Sequence, residues 1–369
     1  MRPGPGPTAA SAVAPSGRAW VEHGTHPYPV AVLDRLRQPV SPKAYRIITL
    51  VALVLLIAIV VTGAGVRLTG SGLGCTDWPR CTEETFTPSS DLHAQIEFYN
   101  RMITGLVSAA VVLAVLGSLR RAPRRRDLVW LSLGLVGGVL AQIILGGLVV
   151  LSHLNPWLVQ GHFVVSMILV ANAAVLTHRA GLPDPVEQRP IVTPALIRWG
   201  QVLISMAIVV MLTGTLVTGS GPHSGHNEAE AGASATEQLR AAEDVRRLPI
   251  AVHDAARVHG IMMIVFLAAS IWVLVQIRRH QPPGNLLAST RWMLTVLVLQ
   301  GAVGYTQYFT GVPPGLVALH ILGASLVWVA VLLVYQRMWA PLVPATSSAA
   351  QSTGGTELPD HLPHGDLVP

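Results

Sequence analysis

The stretch QIILGGLVVLSHLNPWLVQGH, residues 142–162, carries a pattern that occurs twice in the chain. Its Gln142, Gly146, Pro156 and His162 recur, each 158 positions further on (162 to 320, for example), as Gln300, Gly304, Pro314 and His320. Self-similarity at a fixed offset indicates a duplicated structural unit. The stretches Thr69–Gly72 and Thr218–Gly221, which both read TGSG, form a second matching pair. The fold is therefore expected to contain two copies of one unit.

Composition places both copies in a membrane. Of 369 residues, 51% are hydrophobic and only 12% are charged, with a mean hydropathy of +0.51. A soluble domain usually carries about 25% charged residues. Eight apolar runs are each long enough to cross a bilayer, which takes about 20 residues per helix. They cover residues 45–66, 94–119, 128–151, 157–178, 195–218, 252–277, 290–311 and 314–336. The sequence thus predicts an all-α integral membrane protein with eight transmembrane helices.

The repeat divides these helices into two pseudo-symmetric four-helix bundles, an N-terminal half over residues 45–180 and a C-terminal half over 181–338. Because four helices separate the copies, both have the same orientation, and the pseudo-two-fold axis is expected along the membrane normal. Residues 1–44 and 339–369 are predicted to be disordered cytoplasmic tails. The first of these is rich in Pro, Gly, Ala and Ser and has no apolar period.

The basic residues set the predicted topology. The segment 120–126 contains five arginines between helices 2 and 3, and Arg278 and Arg279 lie between helices 6 and 7. Such short basic loops are typically cytoplasmic. The long loops 67–93 and 219–251 then lie outside, and both termini lie in the cytoplasm of a multi-pass plasma-membrane protein. The net charge of +6 is explained by these loops, and no basic patch interleaved with aromatic residues indicates a nucleic-acid partner.

Three histidines lie at matching places in the repeat. In the C-terminal copy, His259 and His320 both lie near the outer ends of their helices. Two imidazoles from facing helices are the usual arrangement in a bundle for binding a haem iron from both sides. The N-terminal copy has His162, but Asn100 stands where the second imidazole is expected, so one axial position there would be weak or open. The alternative is that these histidines are polar helix-packing residues.

Helix 2 begins with Glu97, Asn100 and Arg101, whose spacing puts all three on one helix face. An ionisable residue at membrane depth indicates a functional site. A structural ion pair between Glu97 and Arg101 is the alternative. The second copy has Ala256 opposite Glu97, which favours a reacting N-terminal half and a cofactor-binding C-terminal half. Arg67, Arg101 and Arg257 stand at outer helix ends, where an arginine can either pair with a haem propionate or snorkel to the interface.

Cys75 and Cys81 lie close together in the first outer loop. Their spacing and the oxidising compartment favour a disulfide over a metal site. This disulfide could act as a staple that shapes the loop, or as a redox-active pair near the N-terminal site.

With these residues in view, the chain resembles the haem A synthase family over about residues 45–337. The resemblance rests on Glu97-x-x-Asn100-Arg101, on His162, His259 and His320, and on the loop Gly63-x-Gly65-x-Arg67-Leu68-Thr69-Gly70-Ser71-Gly72-Leu73-Gly74-Cys75-x-Asp77-Trp78-Pro79-x-Cys81.

This resemblance implies a haem b cofactor whose iron is bound by His259 and His320. It implies oxidation of the C8 methyl group of haem O to a formyl group, giving haem A for cytochrome oxidase. The catalytic glutamate would be Glu97, and the substrate haem would lie by His162, Asn100 and Arg101. The cysteine pair of the family maps to Cys75 and Cys81. Haem O synthase is the natural partner that supplies haem O, and a homo-oligomer is left open.

Asn100 departs from the histidine that many members of the family have, which indicates a variant of the substrate site. Two other classes remain open from the sequence. A di-haem b-type membrane electron-transfer protein fits the His259 and His320 pair equally well, but Glu97 and Asn100 make a poor second electron-transfer site. A transporter fits the duplication but does not explain the histidine pair or the cysteine loop.

Overall fold

The computed structural model describes residues 4, 38–184, 187–221 and 247–342. Eight helices in this part of the chain are long and apolar enough to cross a membrane, which confirms the predicted all-α membrane fold. They are α1 (Pro42–Leu68), α2 (Leu92–Arg120), α3 (Arg126–Leu151), α4 (Pro156–Ala180), α5 (Pro194–Ser220), α6 (Val252–His280), α7 (Leu286–Phe309) and α8 (Pro314–Gln336).

Two predicted boundaries need correction. Helix α1 begins at Pro42, within the segment predicted as an N-terminal tail to residue 44. After α8, Trp339–Pro341 forms a short strand, β2, within the predicted C-terminal tail, and pairs antiparallel with β1 (Gln188–Pro190). Backbone hydrogen bonding thus extends the ordered part at both ends. Most of the predicted disorder concerns residues outside the described part.

Local sequence explains why several helices begin where they do. Pro42, Pro156 and Pro194 each occupy the first turn of a helix, where a proline costs no hydrogen bond because the first amides have no intrahelical partner. The residue before each proline caps the helix with its side chain. Ser41, for example, accepts a hydrogen bond of 3.2 Å from the amide of Ala44. Such a cap satisfies one of the amides left unpaired at the helix start.

The helices pack as two rings of four. Helix α1 contacts α2, α2 contacts α3, α3 contacts α4, and α4 closes the first ring on α1. The same sequence of contacts runs from α5 to α8 and back to α5. The rings meet through α1 against α8, α4 against α5, and α4 against α8. If the two rings are exchanged, the contact of α1 with α8 becomes the contact of α5 with α4, and the contact of α4 with α8 becomes itself. A two-fold relation between the rings requires this.

Polar contacts stabilise the end of the first ring that the sequence predicts to face the cytoplasm. Arg121 pairs with Asp184 at 2.5 Å, and Arg125 pairs with Asp127 at 2.7 Å. These pairs join the loop after α2 to the start of α3 and to the segment after α4. These charged groups therefore lie at the helix ends. The surface that the bundle exposes along its membrane spans consists mainly of aliphatic side chains such as Ile144 and Ile168. Such a surface suits lipid.

Candidate active site

One cavity of about 560 Å³ is lined by residues from both rings. The first ring contributes Glu97, Asn100, Arg101 and His162, and the second contributes His259 and His320. Most other lining residues are apolar. The six residues that the sequence singled out inside the membrane are therefore brought to one cavity. A mostly apolar cavity of this size with a few convergent polar groups is the usual form of a ligand site.

In the second ring, the imidazoles of His259 and His320 face each other with their centroids 6.4 Å apart. Nδ1 of His259 lies 3.2 Å from the carbonyl oxygen of Val210 and 3.1 Å from Oγ1 of Thr213. These contacts fix the ring from behind. A metal-binding histidine almost always uses one nitrogen in this way, which leaves Nε2 for the metal.

This pair fits a haem iron bound from both sides. With metal–nitrogen bonds of about 2 Å on each side and half a ring beyond each, the two centroids would be separated by about 6 Å. The described residues contain no group of three or more His, Cys, Asp or Glu that could hold a metal ion. A haem iron needs only two protein ligands, because the porphyrin supplies the other four. The donor set thus suits a haem and does not suit a bare ion.

Glycines make room for both imidazoles of the second ring. A Cβ added to Gly304 would lie 3.0 Å from Cε1 of His320, and one added to Gly214 would lie 3.2 Å from Cε1 of His259. Both distances are closer than ordinary van der Waals contact. These glycines therefore allow the neighbouring helices to approach the imidazoles.

The first ring repeats the arrangement with more space. A Cβ at Gly146 would lie 3.5 Å from Cε1 of His162, and one at Gly63 would lie 3.9 Å from Nδ2 of Asn100. Asn100 thus occupies the place that His259 has in the second ring, as the repeat predicted. Its Oδ1 is buried without a hydrogen-bond partner, and so is Nδ1 of His162.

The glutamine of the repeat has a role that the sequence did not reveal. Nε2 of Gln142 donates to the carbonyl oxygen of His162 at 3.0 Å, and Nε2 of Gln300 donates to that of His320 at 2.8 Å. Each bond joins a helix to the next one at the level of a histidine. The spacing of Gln, Gly and His in the repeat therefore sets the register between paired helices. The recurrence of Gln142 as Gln300 was the sequence signal that could have pointed to this role.

Glu97 is buried, with 5% of its surface exposed. Its Oε2 accepts a hydrogen bond of 2.9 Å from the backbone amide of Cys75, and its Oε1 accepts one of 2.5 Å from Arg101. The ion pair considered from the sequence is therefore present. Because a charge-assisted bond orients each carboxylate oxygen, Glu97 is held at the cavity wall in one position.

Arg101 makes three side-chain hydrogen bonds within the protein. Besides Glu97, its guanidinium donates to the carbonyl oxygens of Asp77 and Arg80 at 3.1 and 2.9 Å. The sequence placed Arg101 beside the substrate haem. In the structure it lines the cavity but joins α2 to the loop that contains the two cysteines.

This cysteine loop, residues 74–81, covers the outer side of the first ring. Cys75 and Cys81 are paired as a disulfide and are buried. Gly74 lies against the backbone of α2, since a Cβ there would be 2.4 Å from the carbonyl carbon of His93. Trp78 packs against Gly147 of α3 and lines the cavity. The loop therefore both lines the cavity and supplies the amide that holds Glu97.

Comparison with known proteins agrees with this geometry. Residues 46–332 match a protein family described as cytochrome oxidase assembly protein. The chain belongs to this family.

Among its similar proteins are three named haem A synthase. The one from Halalkalibacterium halodurans is 26% identical over 280 residues, which are 74% of this chain and 86% of that protein. The one from Alkalihalophilus pseudofirmus is 27% identical over 65% of this chain and 78% of its own length. The one from Bacillus pumilus is 33% identical over 36% of this chain and 44% of its own length. The first two similarities extend over most of each relative.

Proposed function

We propose that this chain is a haem A synthase, which oxidises the C8 methyl group of haem O to a formyl group. One observation carries the proposal: the two rings share a cavity but differ at equivalent places. The second ring presents two imidazoles, His259 and His320, whereas the first presents one imidazole, an asparagine and a buried carboxylate. Relatives named haem A synthase support the same activity.

His259 and His320 would hold the cofactor, a haem b. Their separation and the anchoring of His259 by Val210 suit an iron with two imidazole ligands. Such a haem supplies electron transfer when bound. The protein holds the two imidazoles in place, because Gly214, Gly304 and Gln300 fix how closely the neighbouring helices approach them.

The first ring would hold the substrate, haem O, with its farnesyl tail in the apolar part of the cavity or in lipid. His162 would orient the substrate through its iron. Asn100, opposite, is a poor iron ligand, so the second face of the substrate stays open. An open face suits a molecule that must react and then leave, whereas a second imidazole would favour a permanently bound electron carrier.

Glu97 would act at the methyl group that is oxidised. Its carboxylate can accept a proton there, or stabilise positive charge that develops on the substrate before water adds. Arg101 and the Cys75 amide orient this carboxylate and stabilise its negative charge. Conversion of the methyl group to the aldehyde of haem A removes four electrons and four protons and takes up one oxygen atom. Two successive hydroxylations, each a two-electron oxidation by an external electron acceptor, would give a geminal diol that loses water.

The cysteine loop would serve the same site as a cover. Trp78 and Pro79 line the cavity on its outer side and exclude bulk water from Glu97. In this proposal the Cys75–Cys81 disulfide keeps the loop in the shape that presents the Cys75 amide. The protein would work in the plasma membrane with both termini in the cytoplasm, and would receive haem O from a haem O synthase.

Glu97→Gln tests the proposal most sharply, because it keeps the size of the side chain and removes its charge. In cells that make haem O, the variant protein is expected to retain haem b but to lower haem A output by about 10²- to 10⁴-fold, the usual contribution of a positioned acid or base. Haem O or its hydroxylated form should accumulate. Extracted haems are separated by chromatography to measure this.

Glu84→Gln is the matched control, because Glu84 is an exposed acid in the segment between α1 and α2, just before the helix that contains Glu97. It should leave haem A output unchanged. Normal haem A output from Glu97→Gln would overturn the catalytic assignment. If the wild-type protein also left haem O untouched while binding haem b, the di-haem electron carrier would be the correct class.

A further inference from the structure

A second arginine lines the cavity at the outer end of the first ring. Arg67 lies in the last turn of α1 and is among the lining residues. Its Nε is fully buried and has no hydrogen-bond partner. In the part of the chain that the structure describes, no acidic side chain pairs with Arg67. Arg67 as a whole is half-buried. A partly buried cation without a counter-charge is costly in a membrane and indicates that a ligand supplies the anion.

Helix geometry places Arg67 in the substrate half. Gly63, one helical turn earlier, is the residue that lies against Asn100. Residues four apart share a helix face, so Arg67 lies on the same side of α1, one turn closer to the outer surface. On α2, which runs in the opposite direction, Glu97 is likewise nearly one turn further out than Asn100. Arg67 and Glu97 are therefore at a similar depth.

Among the described residues of the second ring, no arginine or lysine lines the cavity, and Arg257 of α6 is exposed. Gly214 contacts His259 as Gly63 contacts Asn100, and the residue one turn beyond it is Thr218. Thr218 also lines the cavity, is neutral and donates its hydroxyl to the carbonyl of Gly214 at 3.1 Å. The unpaired positive charge is thus a feature that distinguishes the first ring from the second.

We propose that Arg67 binds a propionate carboxylate of the substrate haem and so sets which methyl group reaches Glu97. This inference rests on the proposed function. In haem O, the C8 methyl group and one propionate are attached to the same pyrrole ring. Holding that propionate at the outer end of the cavity brings the C8 methyl to the depth of Glu97. Arg101 is less suited to this role, because both of its terminal nitrogens already donate to Glu97 or to the cysteine loop.

Esterified substrate tests the proposal. The full-length protein, loaded with haem b in detergent, is titrated with haem O and with haem O dimethyl ester, which lacks the carboxylate charge. Binding is followed by the change in the Soret band. Wild type should bind haem O about ten- to hundredfold more tightly than the diester, as a charge-assisted hydrogen bond implies.

Arg67→Gln should lose this preference by weakening haem O binding alone, with diester binding unchanged. Arg67→Lys should keep part of the preference, because it keeps the charge but not the fork of donors. Arg80→Gln is the matched control. Arg80 is exposed in the segment that follows α1, and among the described residues its side chain makes one hydrogen bond, to the carbonyl of Glu83, so its removal should not change the preference.

An undiminished preference in Arg67→Gln would overturn the proposal, and so would wild type that binds both compounds equally. Loss of haem b with intact substrate binding in Arg67→Gln would assign the arginine to the cofactor and also overturn it. If Arg67→Gln fails to fold, the ratio of haem O affinity to diester affinity in wild type and in Arg67→Lys still tests the proposal. Failure of the proposed function gives a different result, in which wild type binds haem O but does not oxidise it.

Discussion

The two rings share one scaffold and differ in a few side chains at the cavity. In both, a glutamine donates to a histidine carbonyl on the next helix, and a glycine faces the histidine ring. The second ring completes this frame with a second imidazole. The first ring instead has Asn100, the buried Glu97, the unpaired Arg67 and a disulfide-closed loop.

The difference shows how a duplicated bundle can separate two tasks. Two imidazoles hold an iron with no place left for chemistry, which suits a cofactor. One imidazole, an open face and a carboxylate suit a substrate. Since the frame of glutamine and glycine is the same, the division depends on substitutions at three positions, those of Asn100, Glu97 and Arg67, and on one loop.

The largest expected effect is the loss of haem b when a histidine of the second ring is replaced, with no such loss when the histidine of the first ring is replaced. His259→Ala removes one of the two iron ligands, so the purified protein should lose haem b. The reduced absorption spectrum and the haem content measure this loss. His162→Ala should instead keep haem b and lose binding of haem O.

His253→Ala is the control for His259→Ala, because His253 lies on the same helix, with 71% of its side chain exposed. It should retain full haem b. If His259→Ala kept haem b with an unchanged spectrum, the assignment of the second ring as the cofactor site would be wrong.

An intermediate effect is expected at the glycines that face the imidazoles. Gly304→Ala places a methyl group 3.0 Å from His320, so we expect a loss of about 1–3 kcal/mol in the stability of the haem-loaded protein, as is usual for overpacking. Gly146→Ala meets His162 at 3.5 Å, an ordinary contact, and should cost less. Thermal unfolding followed at the Soret band measures both.

Gly301→Ala is the control on the same helix, since a Cβ there has no neighbour within 4 Å. Gly301→Ala should leave the stability of the haem-loaded protein unchanged. Equal losses from Gly304→Ala and Gly301→Ala would mean that helix flexibility matters here and that the fit around the imidazole does not.

The smallest effect is expected at Asn100. Because asparagine is a poor iron ligand, Asn100→Ala should change substrate binding and turnover by less than about tenfold, while haem b stays unchanged. Asn100→His should give the substrate haem the spectrum of a bis-imidazole complex, as in the second ring. Substrate loss in Asn100→Ala as complete as in His162→Ala would show that Asn100 binds the iron or holds the haem directly.

Much of the fold could be predicted because membrane helices leave strong signals. The spans followed from apolar length, and the pairing of rings followed from the repeat around Gln142 and Gln300. Helix α7 shows the limit: it was predicted over 290–311 but lies at Leu286–Phe309. Its outer end is set by Gly311, whose φ of +79° turns the chain, and hydropathy does not detect such a turn.

The candidate site was predictable in its residue types but not in its contacts. The spacing of Glu97 and Arg101 predicted a shared face and an ion pair. It could not show that Arg101 also binds the carbonyls of Asp77 and Arg80, because those contacts depend on how the loop folds back. For the same reason, the sequence could not distinguish Arg67, which is unpaired, from Arg101, whose two terminal nitrogens are both hydrogen-bonded.

Identification of the bound haems tests the central claim most directly. The full-length protein is purified from cells that also make haem O, and its haems are extracted and separated by chromatography. The account predicts haem B together with haem A or hydroxylated haem O, one from each ring. Haem B alone, with haem O present in the cells and unaltered, would contradict it.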